Sequence, residues 1–201
     1  MVKPGAAETR QEQLTRRHGR IVSAAREMAE TSGWDGVTTR RLADAIGYSQ
    51  PVLYGHFPQG KAEIMAAVAQ VGFVEMAALM SGDGAVEQHG DHVDLLRRVV
   101  EGYLAFAAQS PATYDAMFSL PTELLFADPE SPHELRAGFD VLVLAIGGDP
   151  AAPRPEDGLS AELLWSALHG MAMLERGGRV RTQDRTGRLE GVLELFRTRS
   201  R

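Results

Sequence analysis

The stretch 37–57, VTTRRLADAIGYSQPVLYGHF, limits what this chain can fold into more than any other. It holds two short amphipathic segments joined at Gly47. Thr38 is suited to cap a helix over residues 39–46, because its side-chain oxygen can accept from an unpaired N–H of the first turn. Leu42, Ala43 and Ile46 recur at helical spacing on one face of that segment. Gly47 fits the left-handed position that ends a helix. Ser49 then caps a second helix, with Pro51 in its first turn, where a missing N–H costs nothing. That helix runs to about His56. Leu42, Ala43, Ile46, Val52 or Leu53, and Phe57 can lock the pair at a steep angle, with small Ala43 at the crossing. This is the arrangement of a helix-turn-helix. Spacing alone also fits a plain helical hairpin inside a bundle.

The rest of the chain carries helical patterns and no alternating strand pattern or internal repeat. Residues 1–13 are polar and read as a mobile arm. From Leu14, a first helix shows Ile21, Val22, Ala25, Met28 and Ala29 on one face, with Gly33 as its stop. After the loop Phe57-Pro58-Gln59-Gly60, a longer helix starts near Lys61 and carries Ile64, Met65, Val68, Val71, Gly72, Met76 and Leu79. Residues 81–91 read as a loop. Helical spacing returns at 93–108, 111–120, 132–146, 159–176 and 184–199. The stretch 147–158, GGDPAAPRPEDG, reads as disordered. The expected fold is all-α, with about nine helices.

Composition narrows the function classes. The chain has no cysteine, which excludes disulfides, thiolate metal sites, iron–sulfur clusters and cysteine nucleophiles. No apolar run approaches the ~18 residues of a membrane span, Val141 to Ile146 being far too short. No secretory or transit signal is evident, so a cytoplasmic location without membrane contact is expected. The net charge is −6, but unevenly placed: residues 1–65 carry +2 and residues 66–201 carry −8. A basic head on an acidic body suits a chain that meets phosphate at one end.

The second helix of the motif can enter a major groove, whose width matches an α-helix. It would present Gln50, Pro51, Val52 and Tyr54. Gln reads adenine bidentately, and apolar groups pack on a thymine methyl. Arg40 is a guanine reader. Thr39, Tyr54, His56 and Lys61 suit phosphates, which position a protein without reporting sequence.

These residues resemble the TetR family of regulators. TTRRLADAIGYSQPVLYGHF followed by a helix-opening Lys carries the resemblance, which covers about residues 20–70. Thr38, Leu42-Ala43, Gly47, Ser49, Leu53-Tyr54, His56-Phe57 and Lys61 fall where that pattern places them, and Gly33-Trp34 fits before them. The loop up to Lys61 is one residue longer than the commonest form, which bears on the reach of Lys61. Trp165, His169 and Gly170, in LLWSALHGMAMLERGG, resemble the WHG-type C-terminal domain of a subset of the family. The resemblance implies a three-helix DNA-binding domain over 14–62 and a helical ligand-binding and dimerisation domain over 63–201. It implies a non-enzymatic repressor that binds a palindromic double-stranded DNA operator as a homodimer and is released by a small-molecule effector.

In the body, Phe73, Tyr103, Phe106, Met117, Phe118, Phe139, Trp165, His169 and Met173 can line a pocket for a small, largely apolar effector or form plain core. Trp165 and His169 are the expected pocket wall. Dimerisation is expected through the last two helices, with Leu163, Leu164, Leu168 and Met171 as one stripe and Leu189, Val192, Leu193 and Phe196 as the other. Glu87, His89, Asp91 and His92 crowd one loop, which reads as a solvated surface rather than a metal site. No cofactor is expected, since no phosphate loop or dinucleotide fingerprint is present. Two other classes compete: a helical enzyme, for which no coherent catalytic set exists, and an adaptor, for which Arg40, Gln50, Tyr54, His56 and Lys61 are an odd apolar interface.

Overall fold

The computed structural model describes residues 9–82, 92–118, 133–152 and 154–197. Among them are nine α-helices and no strand: α1 Arg10–Ser32, α2 Thr39–Ile46, α3 Gln50–His56, α4 Lys61–Ser81, α5 His92–Gln109, α6 Pro111–Phe118, α7 His133–Ala145, α8 Pro155–Arg176 and α9 Arg185–Arg197. The all-α expectation holds. Helix ends differ where capping chemistry outran the apolar pattern. Helix α1 starts at Arg10 rather than Leu14, because Thr9 and Glu12 form a reciprocal capping box. Helix α8 starts at Pro155, inside the stretch read as disordered. Its first turn is set by Asp157, which is buried and accepts from Nε and Nη2 of Arg154 at 2.9 and 2.7 Å. That doubly hydrogen-bonded guanidinium holds the Asp157 carboxyl below the usual carboxylate range.

Helix α4 is the central element. It runs from the head into the body and packs against α1, α5, α6 and α7. Ile64, Val68, Ala69, Gly72, Phe73, Met76 and Met80 of α4 are buried. An 18-residue window of α4 has a mean hydropathy of 1.7, so by length and composition this helix could cross a membrane. That corrects the reading that no segment approaches a span. The few polar residues of α4 interrupt its apolar runs without lowering the average; part of its apolar surface is packed, while Val71, Val74 and Leu79 stay exposed.

Two close approaches set the helix spacing. A Cβ on Gly102 of α5 would lie 2.7 Å from the backbone oxygen of Leu79, so α4 and α5 touch backbone to backbone. A Cβ on Gly72 would lie 2.7 Å from Cγ2 of Thr113 and 2.6 Å from Sδ of Met117, so side chains of α6 fill the space over this glycine of α4.

Candidate nucleic-acid interface and effector cavity

The local chemistry of 37–57 builds the expected motif. Thr38 caps α2 by accepting from the N–H of Arg41 at 3.2 Å. Gly47 ends α2 at φ 69°, ψ 31°, a left-handed conformation that favours glycine. Leu42, Ala43, Leu53 and Phe57 are buried between α1, α2 and α3, so Leu53 rather than Val52 supplies the lock. Ser49 stands at the start of α3, but its side chain makes no capping hydrogen bond. The face of α3 turned outward carries Gln50, Pro51 and the half-exposed Tyr54, with Val52 and His56 partly covered. Arg40 is exposed on the first turn of α2, with Thr39 partly covered beside it. Burial, with His18 and Arg17 nearby, pushes the His56 imidazole below its ordinary value, which favours its neutral form. The ammonium of Lys61 donates to the backbone oxygen of Trp34. Its engagement in this structure is therefore with the head itself.

The head is fastened to the body by polar contacts that the sequence pattern did not reveal. Nε1 of Trp34 donates to the oxygen of Ala112 at 2.7 Å. The Glu30 carboxylate on α1 accepts from the N–H groups of Ala112 and Thr113 at 2.9 and 2.8 Å, and from the Thr113 hydroxyl at 2.7 Å. These are the orphan donors at the start of α6, capped from another helix. Arg26 of α1 reaches both Glu75 on α4, at 2.6 Å, and Ser110 beside α6, at 3.1 Å. Only a generic signal, a Glu and a Trp at the end of α1, was present in the sequence to find this clamp.

Deeper in the body, Phe73, Met76, Met80, Tyr103, Phe118, Gly138, Phe139, Leu142 and Trp165 line a cavity of about 20 Å³, enough for one water. Of the expected pocket residues, Phe73, Tyr103, Phe118, Phe139 and Trp165 come together there. Phe106 and Met117 do not line it; both are fully packed core side chains. Met173 is packed against the core outside it. His169 also stands off the wall, separated from it by a hydrogen-bonded chain. Nε1 of Trp165 donates to the Tyr103 hydroxyl at 3.1 Å, the two tyrosine hydroxyls meet at 2.8 Å, and the Tyr114 hydroxyl lies 2.7 Å from Nδ1 of His169. Burial pushes both phenols up, Tyr114 to about 12, so both keep their protons. The rings of Tyr114 and His169 stack at 5.6 Å, and Phe118 meets Trp165 at 5.9 Å.

The proposed dimer stripes need revision. Leu164, Leu168, Val192, Leu193 and Phe196 are buried within the chain itself. The apolar side chains that α8 and α9 turn outward are Leu159, Leu163, Leu174 and Leu195. The pattern showed which residues were apolar but not that α9 would spend its stripe on α5, to which Arg97 also ties it through Glu190 at 2.9 and 3.1 Å. Of the acidic and histidine loop, Glu87, His89 and Asp91 lie outside the described residues. Among the described residues no group of three His, Asp or Glu could hold a metal ion.

Comparison with known proteins follows the same division. Residues 21–68 match the family model described as bacterial regulatory proteins, tetR family, and residues 96–195 match that described as Tetracyclin repressor-like, C-terminal domain. An uncharacterised HTH-type transcriptional regulator of Mycobacterium tuberculosis is 28% identical over 79% of this chain and 69% of its own length. The nucleoid occlusion factor SlmA of Vibrio campbellii is 32% identical over 98 residues, and the chain spans about half of that protein's length, 48%. Among solved structures, a protein of unknown function from Rhodococcus sp. RHA1 shares the fold with a TM-score of 0.67 at 21% identity, over 89% of this chain and 92% of that one. A TetR variant from Acinetobacter baumannii in complex with minocycline does so with a TM-score of 0.64 at 17% identity, over 90% and 94%. The helix-turn-helix head, the helical body and both matches agree: the chain belongs to the TetR family of transcriptional regulators, DNA-binding proteins that are not enzymes.

Proposed function

We propose that this protein is a cytoplasmic repressor that binds a near-palindromic operator as a homodimer and is released by a small, largely apolar effector. The observation that carries the reading is the exposed row Gln50, Pro51 and Tyr54 on an α3 whose inner face is locked by Leu53 and Phe57. A helix so presented fits a major groove. Arg40 and Thr39 flank it. One short helix reads few base pairs, so specificity favours two copies about one DNA turn apart, ~34–36 Å. The outward leucines of α8 and α9, Leu159, Leu163, Leu174 and Leu195, supply the apolar face for a bundle of four helices from two chains.

The effector reading rests on the cavity walls. Five of its lining side chains are aromatic and two are Met, which favours an apolar ligand. At about 20 Å³ the cavity has room for little more than one water. A ligand larger than one water must spread α4, α5, α6, α7 and α8, so it binds a different arrangement more tightly than this one. That differential is what a ligand needs to shift an equilibrium. Both α4 and, through Glu30 and Trp34, α6 connect those walls to the head.

The test is binding to DNA flanking the gene, repeated across a salt series. A salt-steep, sequence-selective shift supports the reading. A protein that binds no duplex above background removes it. A thermal-shift screen then finds effectors, and reciprocity sorts them: a true effector binds more weakly when operator is present.

A further inference from the structure

The wall of the body cavity carries one polar link. Trp165 on α8 and Tyr103 on α5 both line it, and Nε1 of Trp165 reaches the Tyr103 hydroxyl at 3.1 Å. The links behind it, Tyr103 to Tyr114 and Tyr114 to His169, are tighter at 2.8 and 2.7 Å. The longest link of the chain is therefore the one in the wall. Among the described residues that line the cavity, no other side chain carries an oxygen or a nitrogen, and none is charged.

Opening the cavity pulls on this link. Donor and acceptor sit on different helices, so spreading α8 from α5 draws them apart. The indole N–H can only donate. Tyr103 is fully buried, and in the arrangement that gives every hydroxyl hydrogen an acceptor it spends its own hydrogen on Tyr114. Parting the pair leaves a donor and a buried acceptor unmatched, which costs free energy unless one group replaces both partners. That group must accept from Trp165 and donate to Tyr103. A hydroxyl does both through a single atom. An ether or a ketone only accepts, and a hydrocarbon does neither. An ammonium only donates, so the indole N–H would face another donor. A carboxylate only accepts, and it brings a charge to a wall that holds no cation.

We infer that the effector is a neutral, mostly apolar alcohol or phenol whose hydroxyl inserts between Trp165 and Tyr103, and that Tyr103 is the residue that selects for it. This rests on the effector reading proposed above and names the chemistry that site takes. Two ordinary hydrogen bonds of about 2.8 Å, meeting at one hydroxyl oxygen, hold Nε1 and the Tyr103 oxygen about 4.6 Å apart. The pair then stands about 1.5 Å wider than its present 3.1 Å, with the polar chain complete from Trp165 to His169. Tyr114, the third member of that chain, belongs to α6, whose first turn Glu30 and Trp34 tie to the head. The widened wall thus stays linked to the helix that reaches the head.

Four probes on one frame test this: para-butylphenol, para-butylanisole, butylbenzene and para-butylbenzoate. Each is titrated calorimetrically into the full-length parent and into Tyr103→Phe at neutral pH. Expected in the parent is a phenol that binds about tenfold more tightly, or better, than the anisole and butylbenzene, and a benzoate that does not bind. Tyr103→Phe should bring the phenol within about threefold of butylbenzene. Butylbenzene itself should bind the variant as it binds the parent, which shows the cavity intact. If the variant does not fold, the parent's own ratio of phenol to anisole decides. An anisole or a benzoate that binds as tightly as the phenol overturns the hydroxyl bridge and leaves an effector site in place. So does a folded Tyr103→Phe protein that keeps the full preference. A parent that binds none of the four overturns both the bridge and the apolar effector site.

Discussion

The Tyr114 hydroxyl lies 2.7 Å from Nδ1 of His169, and this contact gives direction to a four-residue chain. Indole N–H is only a donor, so Tyr103 accepts from Trp165. Every hydroxyl hydrogen finds an acceptor only if Tyr103 donates on to Tyr114 and Tyr114 to His169. The imidazole is then neutral, with its proton on Nε2. Burial, helped by Arg176, pushes the His169 pKa down and favours that form. The groups facing it are Tyr114 and Asp115 on α6, Tyr103 on α5, and Arg176 on its own helix, itself paired with Asp115 at 2.7 Å.

Protonating His169 places donors at both ends of the chain and orphans one hydroxyl hydrogen. Because the folded-state pKa lies below the ordinary 6.5, the unfolded chain takes up its proton first as pH falls. Stability is therefore undiminished above about pH 6.5, is lost as pH drops below it, and levels off below the folded pKa. His56 shifts in the same direction and adds to the loss. Thermal melts of the parent and His169→Gln from pH 8 to 5 should diverge in this window, the variant falling less. Parallel curves would remove His169 from the account.

Glu30→Ala leaves three donors at the head of α6 without their acceptor. Charge-assisted hydrogen bonds of this kind make the change cost about 2–3 kcal/mol in chemical denaturation. A variant that still folds should also respond less to effector, because α6 loses one tie to the head. Unchanged stability would show that water replaces the carboxylate fully.

Gly102→Ala should destabilise by about 2–3 kcal/mol, since its Cβ meets backbone that can yield only by moving a helix. Gly72→Ala should cost less, because the nearest atom is the sulfur of a flexible Met117. The order of the two, read from urea midpoints, is the check; equal costs would mean that the α4–α5 contact is soft.

Leu163→Glu and Leu195→Glu should each weaken the dimer by about tenfold or more, with little effect on the melting of the monomer. Leu193→Asp should instead unfold the chain, because Leu193 is buried inside it. Light scattering with circular dichroism separates these outcomes. Dimers untouched by both glutamates would place the interface elsewhere.

The head was readable in the sequence because its information is local. Thr38, Gly47 and Pro51 each act within a turn of their own position, and Leu42, Ala43 and Phe57 needed only helical spacing to be assigned inward. The body was readable as helices but not as contacts. Nothing near Glu30 points to Ala112, eighty-two residues on. His169 and Trp165 lie one turn apart on α8, so helical spacing puts both on one side, but the two tyrosines between them come from α5 and α6. The apolar stripe of α9 was visible, while the partner that covers it depended on how α9 docks against α5.

The backbone contact at Gly102 also fixes how α4 can move. With the Leu79 backbone against Gly102, the contact can serve as a fulcrum for α4. The far end, Lys61, stands eighteen residues away, a lever arm of about 27 Å at 1.5 Å per residue. A swing of about 5° at this fulcrum therefore carries Lys61, and the Trp34 carbonyl it holds, through about 2.4 Å. Under the effector reading proposed above, a glycine in the body would set the gearing between a small adjustment of the cavity walls and the stance of the head.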